Sequence, residues 1–279
     1  MANITTTQPS GITKLNGILS NPTMKRKFED ILADNASSFM ASIIELYQSD
    51  NQLNECDPNE VVLEALKGAT LKLPIQKSLG FGYLVVYKSG GKPHPQFQPG
   101  YKAFVQLAQR SGQYSSINAD CVYEGEVVTT DRISGNVQIS GEPTSDKVTG
   151  YVAHFSLLNG FSKAIYWNRD KMLAFAKRYS KAYQYDLRYN KQLSLWSTDF
   201  DSMGKKTVLK HLISKFGPMS VEMAKAIETD NTDRVEAEVA ENANKTEVTI
   251  PTDFVEEPAD TPLPFDEPPV DEVPDDPGF

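Results

Sequence analysis

In the first third of the chain, hydrophobic residues recur at the three- and four-residue spacing of helices that bury one face. Asn21-Pro22 opens the first predicted helix, because proline fits the first helical position. A second helix covers Phe39 to Tyr47, and Asp57-Pro58 begins a third with a capping sequence. We expect the polar segment before these helices, residues 1–20, to be flexible.

After residue 80 the pattern changes to the alternation and turn signals of β-strands. Gly82 to Tyr87 is predicted to be a strand, Gln96 to Gln98 its returning partner, and Tyr101 to Ser111 a short helix. Residues 115–167 then predict an antiparallel meander of five strands, the last two joined by the hairpin turn Asn159-Gly160. These strands are Ile117 to Tyr123, Val127 to Thr129, Val137 to Ile139, Thr149 to Leu157 and Phe161 to Trp167.

Helical spacing returns after the strands. Asn168 is predicted to cap a helix that ends near Tyr179, and a loop rich in tyrosine and basic residues follows it. Ser220 is predicted to cap a last short helix that ends near Ile227. Helices, then strands, then helices define an α+β fold.

The predicted helix from Leu195 to Gly217 carries the strongest chemical signal. It starts with three residues of N-cap type, Ser197, Thr198 and Asp199. Lys206 and Lys210 are four residues apart and therefore share a face, whereas Lys205 lies roughly 100° around the axis. Spacing alone fits a core helix with a solvated lysine edge as well as it fits a phosphate-binding helix.

Charge and aromatic content around this helix favour a nucleic-acid partner. Between Lys163 and Lys215 there are twelve lysines and arginines against four acids, together with nine aromatic residues. Cations for phosphates and flat rings for bases are what a site for single-stranded nucleic acid needs. The net charge of −9 hides this signal, because residues 230–279 hold sixteen acids and two bases, which leaves +5 on residues 1–229.

Missing motifs exclude several kinds of site. The sequence GKKT at 204–207 looks like the end of a nucleotide-binding loop, but Asp199 stands where that loop needs its first glycine. Cys56 and Cys121 have neither metal-ligand nor disulfide-framework spacing. The sequence has neither a signal-peptide pattern nor an apolar run of about 18 residues, so we expect a soluble cytoplasmic protein without a membrane partner.

Three alternatives fit parts of this pattern. A metal-dependent nuclease would use Asp199, Asp201 and Asp186 as metal ligands, although helix capping is the simpler role for Asp199 and Asp201. A passive single-stranded DNA or RNA binder would share the basic and aromatic stretch without promoting strand pairing. A structural oligomer would carry the same basic face incidentally.

Two motifs provide a more specific signal. The first is GFGYLVVYKSGGKPHPQFQPGYKAFVQLAQRSG at residues 80–112, and the second is LWSTDFDSMGKKTVLKHLISKFG at residues 195–217. Together they resemble the RecT family of phage recombinases, which are single-strand annealing proteins, and the resemblance extends over roughly residues 20–229. Where this chain has Lys210 the family often has arginine, so the charge is kept but the bidentate guanidinium is lost.

The resemblance implies annealing of complementary DNA strands without ATP, by a homo-oligomer that forms a ring or a helical filament. Single-stranded DNA and the annealed duplex would lie in a basic groove of a core similar to those of the Redβ and Rad52 annealing proteins. It also implies a 5′–3′ exonuclease partner that exposes the single strand, and a phage or prophage origin within a bacterial host. We expect no enzyme activity and no cofactor, with divalent cations able to modulate DNA binding.

We therefore expect three regions in the chain. Residues 1–20 would be a flexible N-terminus, and residues 21–229 one domain for DNA binding, annealing and oligomerisation. Residues 230–279 would be a disordered tail, because a segment rich in acids and prolines buries too little apolar surface to fold. Within it, DTPLPF at 260–265 and DDPGF at 275–279 look like the acidic tips of bacterial single-strand binding proteins. The tail is thus hypothesised to recruit host replication proteins or to compete with DNA, a solubilising tail being the simpler alternative.

An annealing protein must hold strands by their backbone and leave base edges free to pair, so its contacts should be to phosphates. The predicted phosphate contacts are Lys102, Arg110, Lys205, Lys206 and Lys210. The predicted hydrogen-bond partners of the DNA are Gln98, Tyr101 and Thr207. Trp196 is predicted either to stack on a base or to anchor its helix, and the anchor is favoured.

Overall fold

The N-terminal part of the computed structural model is a group of helices that follow the predicted caps. The structure describes residues 10–89 and 91–231, so residues 232–279 of the predicted acidic tail, with its two motifs, lie outside the described residues, whereas its first residue, Asp230, belongs to the last helix. Asn21 and Asp57 each accept a hydrogen bond from the backbone amide two residues later, at 2.9 and 2.7 Å. The helices are α1 (Gly11–Ser20), α2 (Pro22–Leu32), α3 (Ala36–Ser49), α4 (Asn51–Asn54) and α5 (Pro58–Thr70).

Helix α1 corrects the expectation that residues 1–20 are flexible throughout. Ser10 caps it by accepting a hydrogen bond from the Thr13 amide at 3.4 Å. Leu15 and Leu19, one turn apart, are buried against α3 and α5. This apolar stripe is short and lies among polar residues, which is why the sequence pattern did not reveal it.

The first motif forms a β-hairpin followed by a helix, as predicted. Strand β1 (Gly82–Ser89) pairs with β2 (Lys92–Pro99) in an antiparallel register, with Leu84 opposite Phe97. Helix α6 (Tyr101–Arg110) follows directly and buries one face. Phe97 is fully buried against α5, so the hairpin joins the N-terminal helices to the rest of the core.

The five strands predicted after α6 are present, but they form two sheets rather than one meander. The sheet that carries the core has the order β3-β6-β7, whereas β4 and β5 pair only with each other. The chain leaves the main sheet at Glu124. The Glu124 amide donates a hydrogen bond to the Lys147 carbonyl, and the Glu124 carbonyl accepts one from the Thr144 amide, so the two ends of the segment that carries β4 and β5 are held together. The strands are β3 (Tyr114–Tyr123), β4 (Val127–Thr130), β5 (Val137–Ser140), β6 (Val148–Leu157) and β7 (Ser162–Asn168).

The C-terminal part is helical, and the prediction of a loop after Tyr179 is wrong, because a helix lies there. Ser180 accepts a hydrogen bond from the Tyr183 amide at 3.2 Å and starts a helix there. Asp199 has non-helical dihedral angles, with φ −149° and ψ 65°, so it separates a single turn from the long helix that it caps. The helices are α7 (Arg169–Tyr179), α8 (Lys181–Tyr189), α9 (Leu195–Thr198), α10 (Phe200–Phe216) and α11 (Val221–Asp230).

Helix α10 packs across all three strands of the main sheet and also against α6. It approaches β6 closely at Gly204, where a built Cβ atom would lie 2.6 Å from the Tyr151 ring. Residues on several sides of α10 are buried, including Lys206 and Thr207. The fold is therefore the predicted α+β type, with the lysine-bearing helix at its centre rather than on its surface.

Candidate nucleic-acid interface

The strongest feature of the predicted site is an ion-pair cluster between α10 and the end of α11. The Lys206 Nζ lies 2.6 Å from the Asp230 Oδ1, and the Lys210 Nζ contacts the Asp230 Oδ2. The Lys210 Nζ also donates a hydrogen bond of 3.1 Å to the Asn231 Oδ1. The three charged side chains are only 10%, 16% and 8% exposed for Lys206, Lys210 and Asp230.

The electrostatics of this cluster favour the charged forms. Burial by itself would raise the pKa of Asp230, but the charges and hydrogen bonds of the two lysines outweigh it and hold that pKa below its ordinary value. Two ammonium groups facing one carboxylate leave a net charge of about +1 in the cluster. Lys206 and Lys210 thus share a face as predicted, but that face is covered by α11.

Lys205 is half-buried on another side of α10. Its charge acts on the thiol of Cys121 in β3, where it opposes the raising of the thiol pKa by burial. Within the described residues Lys205 makes no ion pair. Of the three second-motif lysines predicted to contact phosphate, Lys205 is therefore the one without a carboxylate partner among the described residues.

On α6 the two predicted cations have different surroundings. The guanidinium of Arg110 donates to the carbonyls of Leu71 and Lys72, both at 2.8 Å, and so caps the C-terminal end of α5. Lys102 is exposed, and its aliphatic stem lies beside Gly80. Arg110 thus has a structural task in addition to any contact with DNA, whereas Lys102 has no ion pair in the described part of the chain.

The remaining predicted residues are partly or fully buried. Gln98 lies on β2 and is half-buried with a hydrogen bond of 3.4 Å to Gln96, and Tyr101 packs against the core. Thr207 is only 5% exposed. Trp196 is 7% exposed and its ring packs edge-on against Phe200, with 5.2 Å between centroids, which favours the anchor over base stacking.

Sequence reasoning missed the structural role of Asp186. This buried carboxylate on α8 accepts hydrogen bonds from the Ser194 amide at 2.8 Å, the Ser194 hydroxyl at 2.7 Å and the Ser197 hydroxyl at 2.6 Å. Burial would raise the pKa of Asp186, but these donors lower it to about 2. Asp186 thereby fixes α8 to α9, and its serine partners eight and eleven residues later were the only signal in the sequence.

A second group of cations and aromatic rings lies where β7 and α7 meet the end of α10. The Lys171 Nζ lies 4.5 Å from the centre of the Trp167 ring, and the Lys163 Nζ lies 5.3 Å from that of Phe216. Burial, and then the charge of Lys215, lower the pKa of Lys171. The sequence indicated this group only through its general excess of basic and aromatic residues.

The carboxylates of the nuclease alternative serve as structural acceptors. The Asp201 Oδ1 accepts hydrogen bonds from the Tyr151 hydroxyl at 2.5 Å and from the Arg169 guanidinium at 2.9 Å. Asp199 caps α10, and Asp186 holds α9. Among the described residues there is no group of three or more metal-binding side chains. These contacts support capping and positioning as the roles of the three acids.

The helices packed on an antiparallel sheet, with a lysine-bearing helix across it, define the class of α+β protein expected for a DNA-annealing core. The RecT family model matches residues 37–248, and the chain belongs to the RecT family. Membership of this family implies single-strand DNA annealing in phage-type recombination. No helix in the described ranges is long and apolar enough to cross a membrane.

Two relatives place the chain within the family. It is 40% identical over 242 residues to the uncharacterized protein YqaK of Bacillus subtilis (strain 168), which covers 86% of this chain and 80% of that protein. It is 27% identical over 197 residues to Protein RecT of Escherichia coli (strain K12), covering 68% of this chain and 70% of that protein.

Proposed function

We propose that this protein anneals complementary DNA strands without ATP, and that it holds each strand by its phosphates in a homo-oligomer. The observation that carries the proposal is the pair of lysines of the second motif. Lys206 and Lys210 bring their ammonium groups to the two oxygens of one carboxylate. A phosphodiester also presents two oxygens that share one negative charge, so the same pair of cations suits a backbone phosphate.

Base pairing supplies the driving force of annealing, so the protein needs no nucleotide and no group with a shifted pKa for chemistry. Its task is to raise the local concentration of strands and to leave base edges accessible. A ring or filament achieves this by repeating one weak site along the strand. The proposal includes a 5′–3′ exonuclease that supplies the single strand, and host single-strand binding machinery as a second partner.

The test mixes two complementary oligonucleotides, each with one fluorophore, with the purified protein in the absence of ATP, and follows duplex formation by energy transfer. We expect pairing well above the spontaneous rate for complementary strands, and no signal for a non-complementary pair. Binding of the oligonucleotides without faster pairing would identify a passive strand binder. Shortening of the oligonucleotides with Mg²⁺ would instead support a nuclease.

A further inference from the structure

The end of α11 covers the lysine pair with a side chain that belongs to the protein itself. Helix α11 is held to the core by Met223 and Ala226, which are buried and pack toward α6 and β2. Asp230 lies one turn beyond Ala226 on the same side of the helix. The packing of two apolar residues therefore delivers a carboxylate onto Lys206 and Lys210.

The carboxylate of Asp230 is chemically similar to the ligand proposed for this site. Like a backbone phosphate, it presents two oxygens and a single negative charge to the two ammonium groups. While it is in place, the lysine side chains are at most 16% exposed. A DNA strand cannot contact either lysine until the last turn of α11 has moved.

The last turn of α11 is suited to release. It contains Glu228 and Asp230 and no basic residue, so two acids lie near the negative end of the helix dipole, where they are unfavourable. Beneath it is a cavity of about 30 Å³, lined by residues that include Thr207, Lys210 and Asn231. Exchange of Asp230 for a phosphate keeps the lysines paired and relieves the helix end, so it costs less than breaking an ordinary buried ion pair.

We infer that the end of α11 is an autoinhibitory latch, in which Asp230 occupies the phosphate site of Lys206 and Lys210 and must leave before DNA binds there. The inference rests on the proposed function, because it takes the lysine pair as a phosphate site. The latch lowers the observed affinity for DNA by the fraction of molecules that are open.

The test compares Asp230→Asn with Glu228→Gln by fluorescence anisotropy of a labelled oligonucleotide. Asparagine keeps the shape of Asp230 but removes its charge, and Glu228→Gln removes the same charge from an exposed position on the same turn. We expect Asp230→Asn to bind the oligonucleotide at least about fivefold more tightly than the wild type, which corresponds to about a fifth or less of the wild-type molecules being open. An unchanged affinity would overturn the latch. Glu228→Gln should change affinity by less than about twofold, as expected for a screened surface charge.

The lysine double variant Lys206→Ala/Lys210→Ala separates a latch from a general effect of charge. In this background Asp230→Asn should no longer increase affinity, because the site that it uncovers is gone. An increase that persists in this background, or one that Glu228→Gln reproduces, would overturn the latch. A loss of folding in Asp230→Asn cannot imitate the expected result, because the expected change is a gain in binding.

Hydrogen exchange gives a second readout on the wild-type protein. Addition of saturating single-stranded DNA should increase the exchange of the amides in the last turn of α11 and leave those of α1 unchanged. Unchanged or slower exchange at 227–231 would mean that DNA binds with the latch closed and would refute the inference. If the wild type binds DNA but does not anneal it, the proposed function fails while the latch is still judged on affinity and exchange.

Discussion

Gly204 is the position where a single methyl group should separate α10 from the sheet. A Cβ atom built at this glycine lies 2.6, 2.7 and 2.8 Å from three atoms of the Tyr151 ring. An ordinary contact begins near 3.4 Å, so one of the two elements must move by about 0.8 Å. The ring cannot move away easily, because its hydroxyl donates to Asp201 at 2.5 Å and accepts from Arg169 at 3.1 Å.

The size of the effect follows from two opposing contributions. Alanine is favoured over glycine within a helix by about 1 kcal/mol, and this contribution stabilises Gly204→Ala. Overpacking of a well-filled interior costs about 1–3 kcal/mol and acts in the other direction. Gly17 in α1 is a matched control, because it is also helical but has no atom within 4 Å of its built Cβ.

The helix contribution cancels when the two variants are compared. We expect the free energy of unfolding of Gly204→Ala to be lower than that of Gly17→Ala by about 1–3 kcal/mol. The assay is urea unfolding followed by circular dichroism at one fixed protein concentration, since assembly also contributes to stability. If Gly204→Ala is as stable as Gly17→Ala, the helix and the sheet are not in close contact at this position, and the placement of the lysines on α10 must be revised.

Three further predictions test the charged groups. Lys205→Ala should make the plot of log affinity for single-stranded DNA against log salt concentration less steep by about 0.7, as measured by anisotropy. An unchanged slope would exclude Lys205 from the phosphate contacts, and Lys27→Ala on α2 is the control. Asp186→Ala should lower the free energy of unfolding in urea by about 1–3 kcal/mol, since it leaves the buried donors of Ser194 unpaired, and a difference below about 0.5 kcal/mol would contradict this. Because the pKa of Asp186 falls from 3.8 to about 2 on folding, its charge contributes stability above about pH 4 that is lost as the pH falls through 2. The stability gap between wild type and Asp186→Asn should therefore shrink between pH 6 and pH 2, and a constant gap would refute the assignment.

Much of the fold followed from local signals in the sequence. Caps such as Asn21, Asp57 and Asp199 marked helix starts, because the side chain of each accepts a hydrogen bond from a backbone amide of the first turn. Strand boundaries followed from the alternation of residues and from turns such as Asn159-Gly160. These signals lie within a few residues of one another, so they can be recognised without knowledge of the tertiary structure.

The errors arose where distant residues decide the structure. Helix α8 was predicted to be a loop because its tyrosines and basic residues show no clear apolar stripe, and it is held by Asp186 through serines up to eleven residues away. The division of the predicted meander into two sheets depends on backbone bonds between Glu124 and residues about 20 positions later. Neither arrangement leaves a periodic pattern in the sequence.

The lysine pair shows that residue spacing can predict which side chains share a helix face but not what covers that face. The four-residue interval placed Lys206 and Lys210 on one face, but only the fold brings Asp230, 24 residues later, onto that face. A buried pair of lysines needs an anion, because two desolvated ammonium groups cannot remain unpaired. In the structure Asp230 supplies that anion, and under the proposed function a DNA phosphate would replace it. A buried ion pair and a phosphate site are therefore compatible descriptions of the same two lysines, provided that α11 exchanges one partner for the other.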